Sequence, residues 1–263
     1  MRITYGLAMI LLVATTSLPP GPSTPPAPLT VRHTEGVVHG FLAMRTTGGE
    51  TVASGELLQV AKGDQVTCQL VFHFNDGSLQ DETAVFSQRG VFRLLTDHLV
   101  QKGPSFPHPI DMSIDTATHA VTVRHPDDKG VMATDQHQID LPANLANGLI
   151  ITLVKNISGG PATFSFVAPT TSPRLVTLEV TPAGTETFRI AGAPRTATHY
   201  VIKVNIGGML GVMARLTGKQ PPDSHMWMLE GAAPAFVKSE SPLYEGGPIR
   251  RIELVSPVWS NGR

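Results

Sequence analysis

The sequence predicts a mainly β fold: a single curved, largely antiparallel sheet, an unclosed or half β-barrel of about a dozen strands, with one central helix on its concave side. Three observations carry that expectation. Apolar and polar residues alternate through most of the chain, most cleanly where Val66, Cys68, Leu70, Phe72 and Phe74 interleave with Gln65, Thr67, Gln69 and His73. Turn signals recur at short intervals with no strand–helix–strand alternation, which favours an antiparallel meander. After the N-terminus only Asp140–Ile157 repeats with helical period, Leu141, Leu145, Leu149, Leu153 and Ile157 falling every four residues.

In chain order, Arg2 precedes an apolar run from Ile3 to Val13 and the small residues Ala14-Thr15-Thr16-Ser17. That is the build of a secretory signal peptide, residues 1–17, with cleavage between 17 and 27. The apolar run is too short to span a bilayer, so no transmembrane anchor is expected after processing. Residues 18–35 read as a Pro-rich disordered tether. Residues 36–258 read as one β-rich domain, and 259–263 as a flexible tail. The expected location is periplasmic or secreted, in a bacterium. A formal net charge of −1 without basic clusters argues against nucleic acid as a partner. The single Cys68 cannot form an internal disulfide.

Strands are expected at Val37–Arg45, Val52–Ala61, Gln65–Phe74, Leu79–Gln88, Val91–Lys102, Ile110–Asp115, Ala120–His125 and Val131–Ile139. Asp140 is placed to cap the helix, Pro142 fits its first turn, and Ser158-Gly159-Gly160-Pro161 stops it, giving a helix at about 141–157. Asn144, Asn147, Lys155 and Asn156 fall off the leucine stripe, on what would be its polar side. Further strands follow at Thr163–Ala168, Arg174–Thr181, Thr185–Ala191, Thr198–Ile206, Leu210–Thr217, Ser224–Glu230, Ala235–Glu240 and Pro248–Ser256. A sheet of this many strands must curl to protect its edges. Its concave side then needs filling, and the helix stripe is the segment available.

The order of parts, strands before Leu141–Ile157 and strands after it, the Thr181-Pro182-Ala183-Gly184 turn, and the Trp-bearing strand His225–Glu230 followed by Ala235–Glu240 and Ile249–Val255, resembles the periplasmic half β-barrel group. That group includes the outer-membrane lipoprotein carrier and receptor (LolA/LolB-like) and uncharacterised periplasmic families. The resemblance implies a concave face that holds acyl chains or another apolar ligand. It brings no functional residue that can be carried over.

Chemistry-bearing motifs are sparse. The ten histidines form no His-x-His or His-x-x-x-His pair, so no metal site is assigned. No nucleophile elbow occurs, and Cys68 lies on the apolar face of its strand as a core residue. Asp81-Glu82 and Asp127-Asp128 read as solvated acids near turns. Gly207-Gly208-Met209-Leu210-Gly211 lacks what a phosphate loop requires and reads as a bend. Asp97–Asp111 is the most unusual stretch, with three prolines around Phe106, and it nominates Asp97, His98 and Lys102 as rim residues. Asp97 and His98 are adjacent on a strand and so face opposite ways.

The expected function is an exported, non-enzymatic binding or carrier protein holding an apolar, lipid-like ligand, with Leu145, Leu149, Leu153, Met213, Met226, Trp227, Met228 and Phe106 lining it. The alternatives are an envelope structural or assembly factor with a filled core and a protein partner, and an enzyme using the 97–111 region. No catalytic residue and no cofactor is assigned.

Overall fold

Alternation builds the sheet that the computed structural model shows. It describes residues 27–190, 192–207 and 221–255. In β3 (Gln65–Phe74) Val66, Phe72 and Phe74 are buried, with Cys68 and Leu70 packed beside them, while Thr67 and His73 are exposed. Beside it in the first half stand β1 (Val38–Thr46), β2 (Thr51–Lys62), β4 (Leu79–Ser87), β5 (Arg93–Lys102), β6 (Ile110–Asp115), β7 (Ala120–Pro126) and β8 (Met132–Gln138), the alternation being clearest in β4, β6 and β7. After one helix, α1 (Ile150–Asn156), come β9 (Ala162–Val167), β10 (Leu175–Ile190), β11 (Ala193–Asn205), β12 (Ser224–Leu229), β13 (Ala235–Pro242) and β14 (Ile249–Val255).

The fourteen strands form one antiparallel, unclosed sheet in the order β8-β7-β6-β5-β4-β3-β2-β1-β14-β13-β12-β11-β10-β9. The chain therefore starts in the middle, walks out to β8, crosses over, and walks back from β9. The two halves join where β14 pairs with β1, from Phe41↔Val255 to Thr46↔Arg250.

The sheet curls. β5 and β13 are separated by five strands, which in a flat sheet would place them about 29 Å apart. Yet Gln101 Nε2 donates to the carbonyl of Leu243, just past β13, at 2.9 Å. The Phe106 and Tyr244 rings meet edge-on at 5.9 Å. The inner face closes around a single apolar core drawn from both halves, including Met44, Phe72, Phe86, Met112, Val123, Phe164, Ile202 and Ile252.

The crossing segment fills that core, but mostly not as helix. Leu141, Leu145, Leu149, Leu153 and Ile157 are all buried as the stripe requires. Only 150–156 is helical, Asp140 is exposed, and the helix N-cap is Leu149, without a side-chain cap. The expected 141–157 helix is thus cut to its last two turns. Two things break it. Gly148 sits at φ +63°, and Asn144 and Asn147 turn their amides onto β9 instead of leaving the backbone to coil. These asparagines, expected on the wet side, are 3 % and 1 % exposed, and Asn156 is 0 %.

Two other expectations change. Arg174–Thr181 and Thr185–Ala191 are one strand, β10, and Thr181-Pro182-Ala183-Gly184 is a bulge rather than a turn: the β10–β11 register shifts between Pro182 and Thr185, with Gly184 at φ +110°. Pro182 has no N–H to give a ladder, which suits a bulge. Residues 29–35, placed in the tether, are held against the barrel. Val31 N donates to Gly90 O at 3.0 Å and Phe92 N to Leu29 O at 2.9 Å. The strand expected at Leu210–Thr217, Met213, the signal peptide and the tail lie outside the described residues.

Candidate functional site

The interior is the first place to look for function, and it is packed. Leu145, Leu149, Leu153, Met226, Met228 and Phe106, the expected ligand lining, all belong to the one buried cluster. Phe106 comes from the Pro-rich loop after β5, where Phe106 N donates to Gly103 O at 2.9 Å and tucks the ring inward. There it is 2 % exposed, edge-on to Phe74 at 5.4 Å and to Tyr244. It caps one end of the barrel instead of standing at an open rim.

The opposite end is closed by residues 29–35. The backbone N–H groups of Arg32 and His33 both donate to Asn156 Oδ1, at 2.9 and 2.7 Å, and Asn156 Nδ2 donates to Thr152 O at 2.8 Å. Glu35 follows into the interior, where it pairs with Lys155 of α1 and accepts from Gln59 Nε2 at 2.8 Å. Gln88 holds its backbone from both sides, accepting from Glu35 N at 2.6 Å and donating to Glu35 O at 3.1 Å. A charge this deep persists only when paired and hydrogen-bonded.

Between the two closures lies a pair of carboxyls. β4 points Gln80, Glu82, Ala84 and Phe86 inward, and β5 points Asp97, Leu99 and Gln101 inward. Register sets Ala84 opposite Asp97 and Leu99 opposite Glu82, making the two acids diagonal neighbours on one face. Asp97 is 2 % exposed and neither of its carboxyl oxygens has a hydrogen-bond partner. Burial, and after it the Glu82 charge, holds the Asp97 pKa well above the ordinary carboxylate range. Burial pushes Glu82 up to about 7, opposed by a hydrogen bond from the Gly148 backbone N–H. Cys68, opposite Ala84 on β3, is pushed up to about 12 by burial and then by Glu82 and Glu35, so it stays a thiol. Glu82 was expected to be solvated; its place two residues from Gln80 and from Ala84 is what turns it inside.

The remaining rim residues are not brought together. Asp97 faces inward, while His98 faces out, where its Nε2 lies 2.9 Å from Asp111 Oδ1. Arg124 Nη1 stands 3.5 Å from the other Asp111 oxygen. Lys102 is exposed on that same outer face. A shallow depression of about 540 Å³ beside His98 has hydroxyl residues in its lining, among them Thr83, Thr96, Ser113 and Thr122.

Trp227 also leaves the expected set. Met226 and Met228 point inward, so Trp227 points out, stacked on His199 at 4.4 Å with Lys238 Nζ 3.9 Å above its ring centroid. His199 Nε2 lies 2.9 Å from His225 Nδ1. The pair is 26 residues apart in sequence, so no local motif announces it; adjacency of β11 and β12 creates it. Burial, then His225, lowers the His199 pKa. With both ring faces covered, Trp227 has no surface on which a ligand could stack.

The sheet ends are treated differently. On β9, Ala146 N donates to Ser165 O at 2.9 Å and Ser165 N to Asn144 O at 3.3 Å. Beside them Asn147 Nδ2 donates to Val167 O at 3.0 Å and Val167 N to Asn147 Oδ1 at 2.9 Å. Among the described residues β8 pairs with β7 alone.

No family model and no curated protein matches this chain. It is similar in structure to a solved beta-barrel-like protein of domain of unknown function DUF1849 from Brucella abortus, at a TM-score of 0.43 and 10 % identity, over 87 % of this chain and 100 % of that one. None of these comparisons matches the lipoprotein carrier and receptor that the sequence pattern resembles. The barrel-like all-β fold rests on the sheet itself.

Proposed function

We propose that this chain is an exported, non-enzymatic envelope assembly or structural protein, a filled barrel that meets a protein partner by strand addition at β8. The observation that carries this reading is the unequal treatment of the two sheet ends. The edge of β9 is covered by Asn144–Asn147, whereas β8 is hydrogen-bonded on one side among the described residues. β8 also lacks the Lys and Pro that commonly blunt an exposed edge, and Val131 and Met132 at its start are 63 % and 56 % exposed. An extended partner segment would gain backbone hydrogen bonds there and draw specificity from alternate side chains.

An apolar-ligand carrier is the weaker reading. Leu145, Leu149 and Leu153 occupy the space between sheet and α1 that such a ligand needs, and the two ends are capped by Phe106 and by residues 29–35. The test is photo-crosslinking in the organism that makes the protein, with a photoreactive residue at Gln136 of β8 and a control at exposed Leu58 of β2. A discrete protein adduct from Gln136, absent from the control and lost on Thr134→Pro, is expected. Equal labelling from both positions, or none, overturns the reading.

A further inference from the structure

The crossing segment holds the interior closed, so what holds the segment decides whether the barrel can open. Its non-helical part, 140–149, packs directly onto β4 and β5 at Gly148. A Cβ built there would lie 2.4 Å from Ala84 Cβ and 2.8 Å from Asp97 Oδ1. Gly148 therefore presses bare backbone onto the spot where β4 and β5 present the Glu82–Asp97 pair. Asp97 is enclosed, with both oxygens unpartnered, and the Gly148 N–H is given to Glu82.

The other titratable groups of the packed elements gather around Cys68 rather than in contact with the pair. From α1 comes Lys155, but it is engaged by Glu35 of the segment before β1. From β3 comes Cys68, a neutral thiol. No uncommitted cation among these stands ready to neutralise a second negative charge. Two diagonal carboxylates under a lid of backbone can be relieved in two ways. Asp97 can keep a proton while Glu82 takes the Gly148 N–H, or water can be let in by lifting the lid.

We propose that Glu82 and Asp97 form a proton-operated latch on the crossing segment: while the pair keeps its proton, Gly148 stays seated on β4 and β5, and when the proton is lost the 140–149 stretch lifts and the barrel interior opens. The sign follows from the same groups. Carboxyls held more protonated in the folded chain than in the unfolded one stabilise the closed form fully below the unfolded value of about 4. That contribution fades as pH rises through the folded values, about 7 for Glu82 and higher for Asp97. The latch is thus shut in mildly acidic surroundings and loosens on the alkaline side. It goes beyond the docking role of β8 and does not depend on it.

Cys68 lies in the same cross-strand row as Ala84 and Asp97 and is the chain's single cysteine, which makes it a built-in reporter. The experiment measures its modification by methyl methanethiosulfonate in the full chain at pH 6 and pH 9. Each rate is divided by that of the urea-unfolded chain at the same pH to remove simple thiol ionisation. The expected result is protection that falls at least about tenfold from pH 6 to 9, the effect of roughly one pK unit of linkage, with the far-UV β signal unchanged. Asp97→Asn should hold protection within about twofold across that range, and Glu82→Gln serves if Asp97→Asn does not fold. Equal protection at both pH values, the same fall in the folded variant, or a fall accompanied by loss of the β signal each overturns the latch.

Discussion

Asn147 and Val167 are joined by two hydrogen bonds: the Asn147 side-chain amide gives one to the Val167 carbonyl at 3.0 Å and takes one from the Val167 N–H at 2.9 Å. A single amide thus does for β9 what a neighbouring strand would do. Both partners are buried, at 1 % and 0 % exposure. Replacing Asn147 by Ala leaves a buried donor and acceptor bare, at a cost of about 2–4 kcal/mol. Asn147→Asp, which keeps the size but removes the donor and sets a charge against the carbonyl, should cost at least as much. Urea unfolding followed by far-UV circular dichroism measures both.

Phe106→Ala should remove the plug at one end of the barrel. The ring packs edge-on against Phe74 and Tyr244, so truncation leaves a cavity and costs about 3–5 kcal/mol. The hole should bind an apolar dye that wild-type protein does not, seen as fluorescence enhancement. Phe106→Leu should bind much less.

The Glu35–Lys155 pair is a buried ion pair whose side chains are 3 % and 17 % exposed. Removing one partner strands a charge: Lys155→Met or Glu35→Met alone should destabilise by about 3–5 kcal/mol, while the double change to Met should cost far less than the sum. A double-mutant cycle from urea midpoints reads this directly.

How much of this was legible beforehand depends on the range of the signal. Alternation exposed the strands, and it also held the fate of Glu82, in phase with buried Gln80, Ala84 and Phe86. The four-residue repeat correctly marked Leu141, Leu145, Leu149, Leu153 and Ile157 as buried, but it left Asn144, Asn147 and Asn156, equally buried, on the wet side. It misjudged their conformation, because Asn144, Asn147 and Gly148 satisfy the backbone of β9 and a left-handed turn instead of a helix. Contacts such as Arg32 with Asn156, 124 residues apart, leave no local trace. Nor does the stacking of His199 on Trp227, which only the neighbouring of β11 and β12 brings about.

That outer stack gives an acid-side prediction. His199 is held below the usual histidine range by burial, then by His225, with Lys238 adding to it. Its folded form resists the proton that the unfolded form accepts near pH 6.5. Stability from this site is complete above that value and lost as pH falls through the folded one. Thermal unfolding at pH 7.5 and 5.0 should show a smaller acid loss in His199→Gln than in wild type. An identical loss would remove the stack from the account.

The crossing segment buries Leu141, Leu145, Leu149 and Leu153 in the core, where a carrier would hold its ligand. Native mass spectrometry of protein purified from the organism that makes it, compared with the same sample after organic extraction, tests this most directly. One mass, that of the polypeptide, is expected before and after. A stoichiometric lipid-sized excess that disappears on extraction would contradict it.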